Sequence, residues 1–133
     1  MAACACGGDG PVRLLYACSG AANTGLLADG VARRLAKLGV GNMTCLAAMG
    51  AGLSGFLESA RGAGTNIVID GCPVACGAKT FRDLGIPFRH FKTTDFGVEK
   101  GKTEITGELT NKVALKIAEV MADEPATEST AAV

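Results

Sequence analysis

Four cysteines in the body of the chain are the residues whose type and spacing indicate chemistry. Cys18, Cys45 and Cys72 are separated by 27 and 27 residues, and Cys76 follows four residues later. An interval of this length suits one strand–loop–helix unit, and each of the first three cysteines follows a short apolar run. Thiolates brought to one place bind borderline-soft metal ions or exchange electrons, so these residues predict a metal or redox site.

The stretch around Cys72 positions the last two sulfurs. Residues 67–69 form a β-branched run that is apolar on both faces, which is typical of a buried parallel strand. Asp70 and Gly71 end this strand, Cys72 lies on the turn that follows, and Cys76 falls where the next helix begins. A helix N-terminus favours a thiolate over a thiol. Ligands of open α/β sheets bind at the carboxyl ends of the strands, where both sulfurs are predicted.

The elements that position these cysteines alternate between strands and helices. Strands are predicted over residues 12–17, 40–44, 67–69 and 88–94. Helices are predicted from Leu27 to Leu38 with Gly39 as a stop, from Ser54 as N-cap to Gly62, over 77–84, and after Thr106 as N-cap with Leu109, Val113, Ile117 and Val120 or Met121 on the buried face. Residues 46–52 are small and Gly-rich and read as a loop, and Asp95-Phe96-Gly97 reads as a turn.

This alternation predicts a small three-layer α/β domain with flanking helices. Its sheet is four-stranded and mostly parallel, and the strand order is the Rossmann-like or flavodoxin-like 2-1-3-4. In that order the carboxyl ends of strands 1, 2 and 3 are neighbours, about 4.8 Å apart from one strand to the next. Cys18, Cys45 and Cys72 therefore share one edge of the sheet, with Cys76 beside them.

Length and composition limit the class of protein. A chain of 133 residues suits one domain, which we assign to residues 12–122, with a flexible Cys- and Gly-rich arm at 1–11 and a disordered tail at 123–133. The formal net charge is zero, which argues against binding to nucleic acid. No apolar run approaches about 18 residues, so no membrane span is predicted. Without a signal-peptide pattern the expected location is cytoplasmic, where cysteines serve more often as ligands or redox groups than in disulfides.

Several chemistries fit these cysteines. Four thiolates at about 2.3 Å form a tetrahedral zinc site, and four thiolates also hold an iron–sulfur cluster. A thiol oxidoreductase that uses Cys72 and Cys76 is a further alternative, although three residues separate them rather than the two of thioredoxin-like motifs. Buried free cysteines also serve as small apolar core residues. The loop after Cys18 resembles the phosphate loop of low-molecular-weight tyrosine phosphatases, but Thr24 replaces the required arginine and argues against that reaction.

The combination of motifs resembles one family. Residues 16–22 (Tyr-Ala-Cys-Ser-Gly-Ala-Ala), 45–47 (Cys-Leu-Ala), 69–73 (Ile-Asp-Gly-Cys-Pro) and 94–100 (Thr-Asp-Phe-Gly-Val-Glu-Lys) look like the DGC-domain family. The resemblance covers roughly residues 12–115. It implies an α/β protein in which four cysteines, here Cys18, Cys45, Cys72 and Cys76, are proposed to hold zinc, and it implies no reaction.

These observations predict a zinc-binding protein rather than an enzyme, with a role in metal handling or in structure. Cys4 and Cys6 on the N-terminal arm are candidates for additional metal ligands. Asp70 is expected to support the site through hydrogen bonds that fix the turn before Cys72. Lys79 lies one helical turn after Cys76 and is expected to offset the negative charge of four thiolates. His90, the one histidine of the chain, lies inside a predicted strand and is expected to be structural.

Overall fold

Strands and helices alternate along residues 11–124, which are the residues that the computed structural model describes. The strands are β1 (Arg13–Ala17), β2 (Asn42–Met43), β3 (Thr65–Asp70) and β4 (Arg89–Lys92). The helices are α1 (Asn23–Lys37), α2 (Leu46–Gly50), α3 (Ser54–Gly62), α4 (Cys76–Leu84) and α5 (Gly107–Asp123), and a short 3-10 helix covers Thr93–Phe96. The candidate ligands Cys4 and Cys6 lie outside the described residues.

The sheet has the predicted topology. Its order is β2-β1-β3-β4, and all three neighbouring pairs are parallel. In the central pair Ala17 lies opposite Ile69, and Ile69 lies opposite Phe91 in the next pair. The carboxyl ends of β2, β1 and β3 are therefore adjacent. The prediction that the cysteines lie at one edge of the sheet requires this arrangement.

Side chains on the two faces of the sheet pack into two separate cores, which gives the three predicted layers. On one face Leu15, Ala17, Ile67 and Ile69 pack against the apolar stripes of α1 and α5. On the other face Tyr16 and Val68 pack with Met49 of α2, Ala60 of α3 and Phe81 of α4. This alternation follows from the two-residue period of a strand, and it places Asp70 on the same face as Val68.

One polar pair is buried in the second core. The Tyr16 hydroxyl donates a hydrogen bond of 2.7 Å to Oδ1 of Asn66, and Asn66 Nδ2 donates to the carbonyl oxygens of Ala60 and Pro87. Burial raises the pKa of Tyr16, so its hydroxyl keeps its proton and remains a donor. The pair joins β1 to β3 and satisfies polar groups that would otherwise be costly in the core.

Several predicted elements differ from the observed ones: α1 begins four residues before Leu27, at Asn23, and β2 covers only Asn42–Met43 of the predicted 40–44. Three further differences have a local cause. Residues 46–50 form α2 instead of a loop, because Leu-Ala-Ala-Met is a sequence of good helix formers and Ala48 and Met49 are buried. Leu53 takes the N-cap position of α3 and Ser54 is its first helical residue. β4 ends at Lys92, two residues earlier than predicted, because the backbone then turns into the 3-10 helix.

The last helix begins and packs as predicted, with Met121 rather than Val120 at the last buried position. Thr106 Oγ1 accepts a hydrogen bond of 3.0 Å from the backbone N–H of Leu109, which is the expected N-cap. Val113, Ile117 and Met121 are buried, whereas Val120 is exposed. No helix within residues 11–124 is both long enough and apolar enough to span a lipid bilayer.

Candidate functional site

The four candidate cysteines lie at the carboxyl edge of the sheet. Cys18 directly follows β1, Cys45 is the N-cap residue of α2 shortly after β2, and Cys72 lies on the turn after β3. Cys76 is the first residue of α4. All four are free thiols, with Cys18 and Cys72 half-buried and Cys45 and Cys76 exposed. Three adjacent strand ends therefore each lead into a cysteine.

The sulfur of Cys18 is held at the turn that carries Cys72. The backbone N–H of Gly71 donates to Cys18 Sγ at 3.3 Å. The N–H of Cys18 donates in turn to the carbonyl oxygen of Ile69 at 3.1 Å, which extends the β1–β3 ladder by one step. The side chain of Cys18 thus faces the β3 side of the edge, where the Asp-Gly-Cys triplet lies.

A close approach of two backbones explains the glycine of that triplet. A Cβ atom on Gly71 would lie 2.5 Å from both the carbonyl carbon and the carbonyl oxygen of Thr24. Thr24 belongs to the first turn of α1, and in the same turn a Cβ on Gly25 would lie 2.5 Å from the backbone nitrogen and oxygen of Gly20 in the loop after β1. The first turn of α1 therefore packs backbone against backbone with the turn after β3 and with the loop after β1, and this packing brings the segments of Cys18 and Cys72 together.

Asp70 ties the site to α4 and β4. Its carboxylate is fully buried and accepts hydrogen bonds from the backbone N–H groups of Gly77 (2.7 Å) and Ala78 (3.0 Å). His90 Nε2 lies 2.7 Å from the second carboxylate oxygen of Asp70. The neighbouring Gly71 carbonyl accepts a hydrogen bond of 2.7 Å from Thr93 Oγ1. The triplet is thereby fixed by contacts from α4, β4 and the 3-10 helix.

The hydrogen bonds of Asp70 change the expectation that the free N–H groups at the start of α4 are available to the sulfur of Cys76. A helix N-terminus stabilises a thiolate through its free N–H groups. In α4, Gly77 and Ala78 already donate to the Asp70 carboxylate, whose negative charge also offsets the positive end of the helix. Cys76 is exposed on the outside of this turn. The start of α4 is thus occupied by a carboxylate from the core.

Two strained residues flank the cysteines. Among residues 11–124, the non-glycine residues with positive φ are Ser19 (52°) and Ala75 (54°). Ser19 directly follows Cys18, and Ala75 directly precedes Cys76. A left-handed conformation costs an ordinary residue roughly 1–2 kcal/mol, and such strain is concentrated at functional sites. The backbone therefore places both sulfurs at a conformational cost that packing elsewhere must offset.

Replacing Ala75 with glycine should stabilise the protein. Glycine removes the left-handed penalty but adds entropy to the unfolded chain, so we expect the free energy of unfolding to rise by about 0.5–1 kcal/mol. The matched control is Gly85→Ala at the other end of α4, where φ is 71° and no atom lies within 4 Å of the added Cβ. That variant should lose about 1 kcal/mol. Urea unfolding measures both, and destabilisation by Ala75→Gly would refute the strain at this position.

Polar contacts brace the loop after β1 and the nearby segment before α5. Asn23 Nδ2 donates to the carbonyl oxygens of Glu99 and Thr103, and Asn23 Oδ1 accepts from the N–H of Gly101 at 2.6 Å. Ser19 Oγ donates to Asp29 Oδ1 at 3.0 Å. A hydrogen bond from Arg33, followed in size by that from Ser19, keeps the pKa of Asp29 below its usual value. These contacts fasten both ends of the loop that begins at Cys18.

Lys79 takes a surface position in the structure. Its ammonium group pairs with Asp83 Oδ2 at 3.0 Å, and both side chains are largely exposed. An exposed pair of this kind at i,i+4 contributes at most a few tenths of a kcal/mol and breaks easily. Lys79 is therefore close to Cys76 along α4 without being committed to a buried contact.

The cysteines share an edge but are not yet gathered around one point. Within residues 11–124, no group of three or more His, Cys, Asp and Glu side chains is arranged to hold a metal ion. The chemistry of the donors suits zinc, because four free thiols lie at one edge. Their present arrangement would have to close, and the exposed cysteines Cys45 and Cys76 are the ones with room to move.

Comparison with known proteins identifies the family. The family model described as the DGC domain matches residues 14–117. The chain belongs to the DGC domain family. This confirms the resemblance that the motifs predict. The match to the DGC domain begins in β1 and ends in α5, so it contains all four cysteines of the sheet edge and excludes Cys4 and Cys6.

One curated relative supports the same assignment to the DGC domain family. The chain is 32% identical over 94 residues to the anaerobic and virulence modulator AnvM of Pseudomonas aeruginosa. The aligned region covers 69% of this chain and 71% of that protein. No solved structure matches the chain.

Two contributors to the site were not predicted as such. His90 contacts Asp70, although its position inside β4 suggested only a structural role. Thr93 binds the Gly71 carbonyl from the segment after β4. The sequence does contain a signal for the contact between His90 and Asp70. Both are polar residues on adjacent strands, and apolar residues are the rule in a buried sheet.

Proposed function

We propose that this DGC-domain protein holds one zinc ion with the thiolates of Cys18, Cys45, Cys72 and Cys76. The observation that supports this most is the strand order, in which the ends of β2, β1 and β3 are adjacent and each leads into a cysteine. Zinc takes four thiolates in a tetrahedral site that has no open position. When bound, such an ion stabilises the fold and supplies no reaction of its own.

The packing of the helices supports the inclusion of Cys45 and Cys76. α2 begins directly after Cys45, α4 begins at Cys76, and these two helices contact each other. Cys18 is already oriented towards the turn of Cys72 by the Gly71 N–H group. Closing the set would therefore bring the side chains of the exposed Cys45 and Cys76 towards the two half-buried sulfurs, with little change in the sheet or in the first turn of α4 that Asp70 holds.

Asp70 and Lys79 act in this proposal without touching the metal. Asp70 holds the first turn of α4 and so fixes the spacing between Cys72 and Cys76. Partners of this kind orient ligands, and their loss commonly costs 10–100-fold in metal affinity. Lys79 would offset part of the negative charge of four thiolates, since its surface pair with Asp83 leaves it free to reorient.

Cys4 and Cys6 are not part of the proposed set of four. Both lie outside the residues that the structure describes, and Cys18, Cys45, Cys72 and Cys76 already supply the four thiolates of a closed zinc site.

Zinc content tests the ligand set directly. Protein purified under reducing conditions should contain about one zinc per chain by elemental analysis. Serine is a poor replacement for a thiolate on zinc, so Cys18→Ser, Cys45→Ser, Cys72→Ser and Cys76→Ser should each reduce the content to below about half.

The matched control is the double variant Cys4→Ser/Cys6→Ser, which should keep its zinc. Full occupancy in all four single variants would contradict the ligand set. Wild-type protein that contains iron and sulfide would instead indicate an iron–sulfur cluster, and metal-free wild-type protein would favour the oxidoreductase alternative.

A further inference from the structure

We propose that Cys18 and Cys72 are a disulfide-forming pair that a hydroperoxide oxidises when the protein is free of metal. This modification site goes beyond zinc binding and does not depend on it. It differs from the pairing of Cys72 with Cys76 that the sequence suggests. The contact between Cys18 Sγ and the Gly71 N–H group is the observation that points to it.

The sulfur of Cys18 is close to the residue that bears the second thiol. Cys18 Sγ lies 3.3 Å from the nitrogen of Gly71, and Cys72 is the next residue along the chain. Covalent geometry places the Cα of Cys72 within about 5 Å of that nitrogen. Gly71 also packs directly on the backbone of Thr24 in the first turn of α1, which follows the short loop that begins at Cys18. Both cysteines are half-buried, so a small oxidant can reach them.

The turn after Gly71 allows the remaining movement. A disulfide requires Cα atoms about 4.4–6.8 Å apart, so Cys72 must adjust towards Cys18. Residues 72–75 form a turn in which the N–H of Ala75 donates to the carbonyl of Cys72, and Pro73 and Val74 are exposed. Asp70, the last residue of β3, accepts hydrogen bonds from Gly77 and Ala78 of α4, so the two elements that flank this turn are joined. Closure therefore moves a short exposed segment and leaves β3 and α4 in place.

The other two cysteines are less well placed to pair with Cys18. Cys76 is exposed and belongs to the first turn of α4, which the bonds from Gly77 and Ala78 to Asp70 hold. Cys45 follows β2, on the opposite side of β1 from β3. The sulfur of Cys18 faces the β3 side, away from Cys45.

The reaction balances with one hydroperoxide. One thiol attacks the peroxide oxygen, which forms a sulfenic acid and releases an alcohol, or water when the oxidant is hydrogen peroxide. The second thiol then attacks the sulfenic sulfur, the S–S bond forms, and water leaves. The two thiols together lose two electrons, and these electrons reduce the peroxide as its O–O bond breaks.

Peptide mapping of metal-free protein tests this pair. The protein is stripped with a chelator, its zinc content and circular dichroism are checked, and it is treated with one equivalent of hydrogen peroxide, alkylated and cut with trypsin. Cleavage after arginine and lysine places Cys18 in peptide 14–33, Cys45 in peptide 38–61, and Cys72 and Cys76 together in peptide 62–79. We expect peptides 14–33 and 62–79 to be joined by a reducible link.

Single variants assign the partner. The link should persist in Cys76→Ser and Cys45→Ser and disappear in Cys72→Ser, each of which retains Cys18. An internal disulfide within peptide 62–79, a link from 14–33 to 38–61, or a cross-link that survives Cys72→Ser would overturn the proposal. Because the protein is metal-free throughout, the outcome is independent of whether zinc binds at this edge.

Discussion

Replacing Asp70 with alanine should lower the free energy of unfolding by about 3–5 kcal/mol. The carboxylate is fully buried and accepts hydrogen bonds from two backbone N–H groups of α4, and it contacts His90. Without it, the N–H groups of Gly77 and Ala78 lose their partner inside the protein. Hydrogen bonds to a charged group contribute about 1.5–3 kcal/mol each, so the loss of several accounts for the expected size.

Equilibrium unfolding in urea measures the effect of Asp70→Ala. The control is Asp83→Ala, which removes an acidic side chain whose partner is the exposed Lys79. This variant should lower the free energy of unfolding by less than about 0.5 kcal/mol. Asp70→Asn keeps the size of the side chain and should fall between the two. A loss below about 1 kcal/mol for Asp70→Ala would show that the carboxylate does not hold α4 as described.

Replacing Gly71 with alanine should cost about 3 kcal/mol, the upper end of the usual range for overpacking. The added Cβ would meet the carbonyl carbon and oxygen of Thr24 at 2.5 Å. Both obstacles are backbone atoms, so no side chain can rotate out of the way. The turn must move away from the start of α1, and this movement would also break the hydrogen bond from Gly71 to Cys18 Sγ.

The control for Gly71→Ala comes from the same site. Gly20 lies in the loop after Cys18, and a Cβ added there would have no atom within 4 Å. Gly20→Ala should therefore change the free energy of unfolding by less than about 0.5 kcal/mol. Thermal and urea unfolding of both variants provide the comparison. Equal stabilities would mean that the turn after β3 does not pack against the backbone of the first turn of α1.

The sheet and the positions of the cysteines could be predicted from the sequence because they depend on local signals. The β-branched residues 67–69 mark the central strand, and the equal intervals between Cys18, Cys45 and Cys72 reflect repeated strand–loop–helix units. Short parallel crossovers then leave few alternatives for the strand order. The helix α2 was missed because five residues of small apolar sequence carry too weak a periodicity to distinguish a helix from a loop.

The contacts inside the site could not be predicted in the same way. The partners of Asp70 come from α4 and from His90, which is 20 residues away, and the backbone that Gly71 touches belongs to the first turn of α1. Such contacts depend on tertiary packing and leave no periodic trace in the sequence. Sequence also predicts which thiols share an edge, but the distances between their sulfurs are set by loop conformations, and within residues 11–124 no three such ligands are gathered.

X-ray absorption at the zinc edge of the loaded, reduced protein tests the central claim most directly. Four thiolates predict a first shell of four sulfur atoms at about 2.3 Å and no nitrogen or oxygen neighbour. Shorter scatterers near 2.0–2.1 Å, as from histidine or carboxylate ligands, would contradict a site made from Cys18, Cys45, Cys72 and Cys76. Protein that retains no zinc after gel filtration under reducing conditions would contradict it equally.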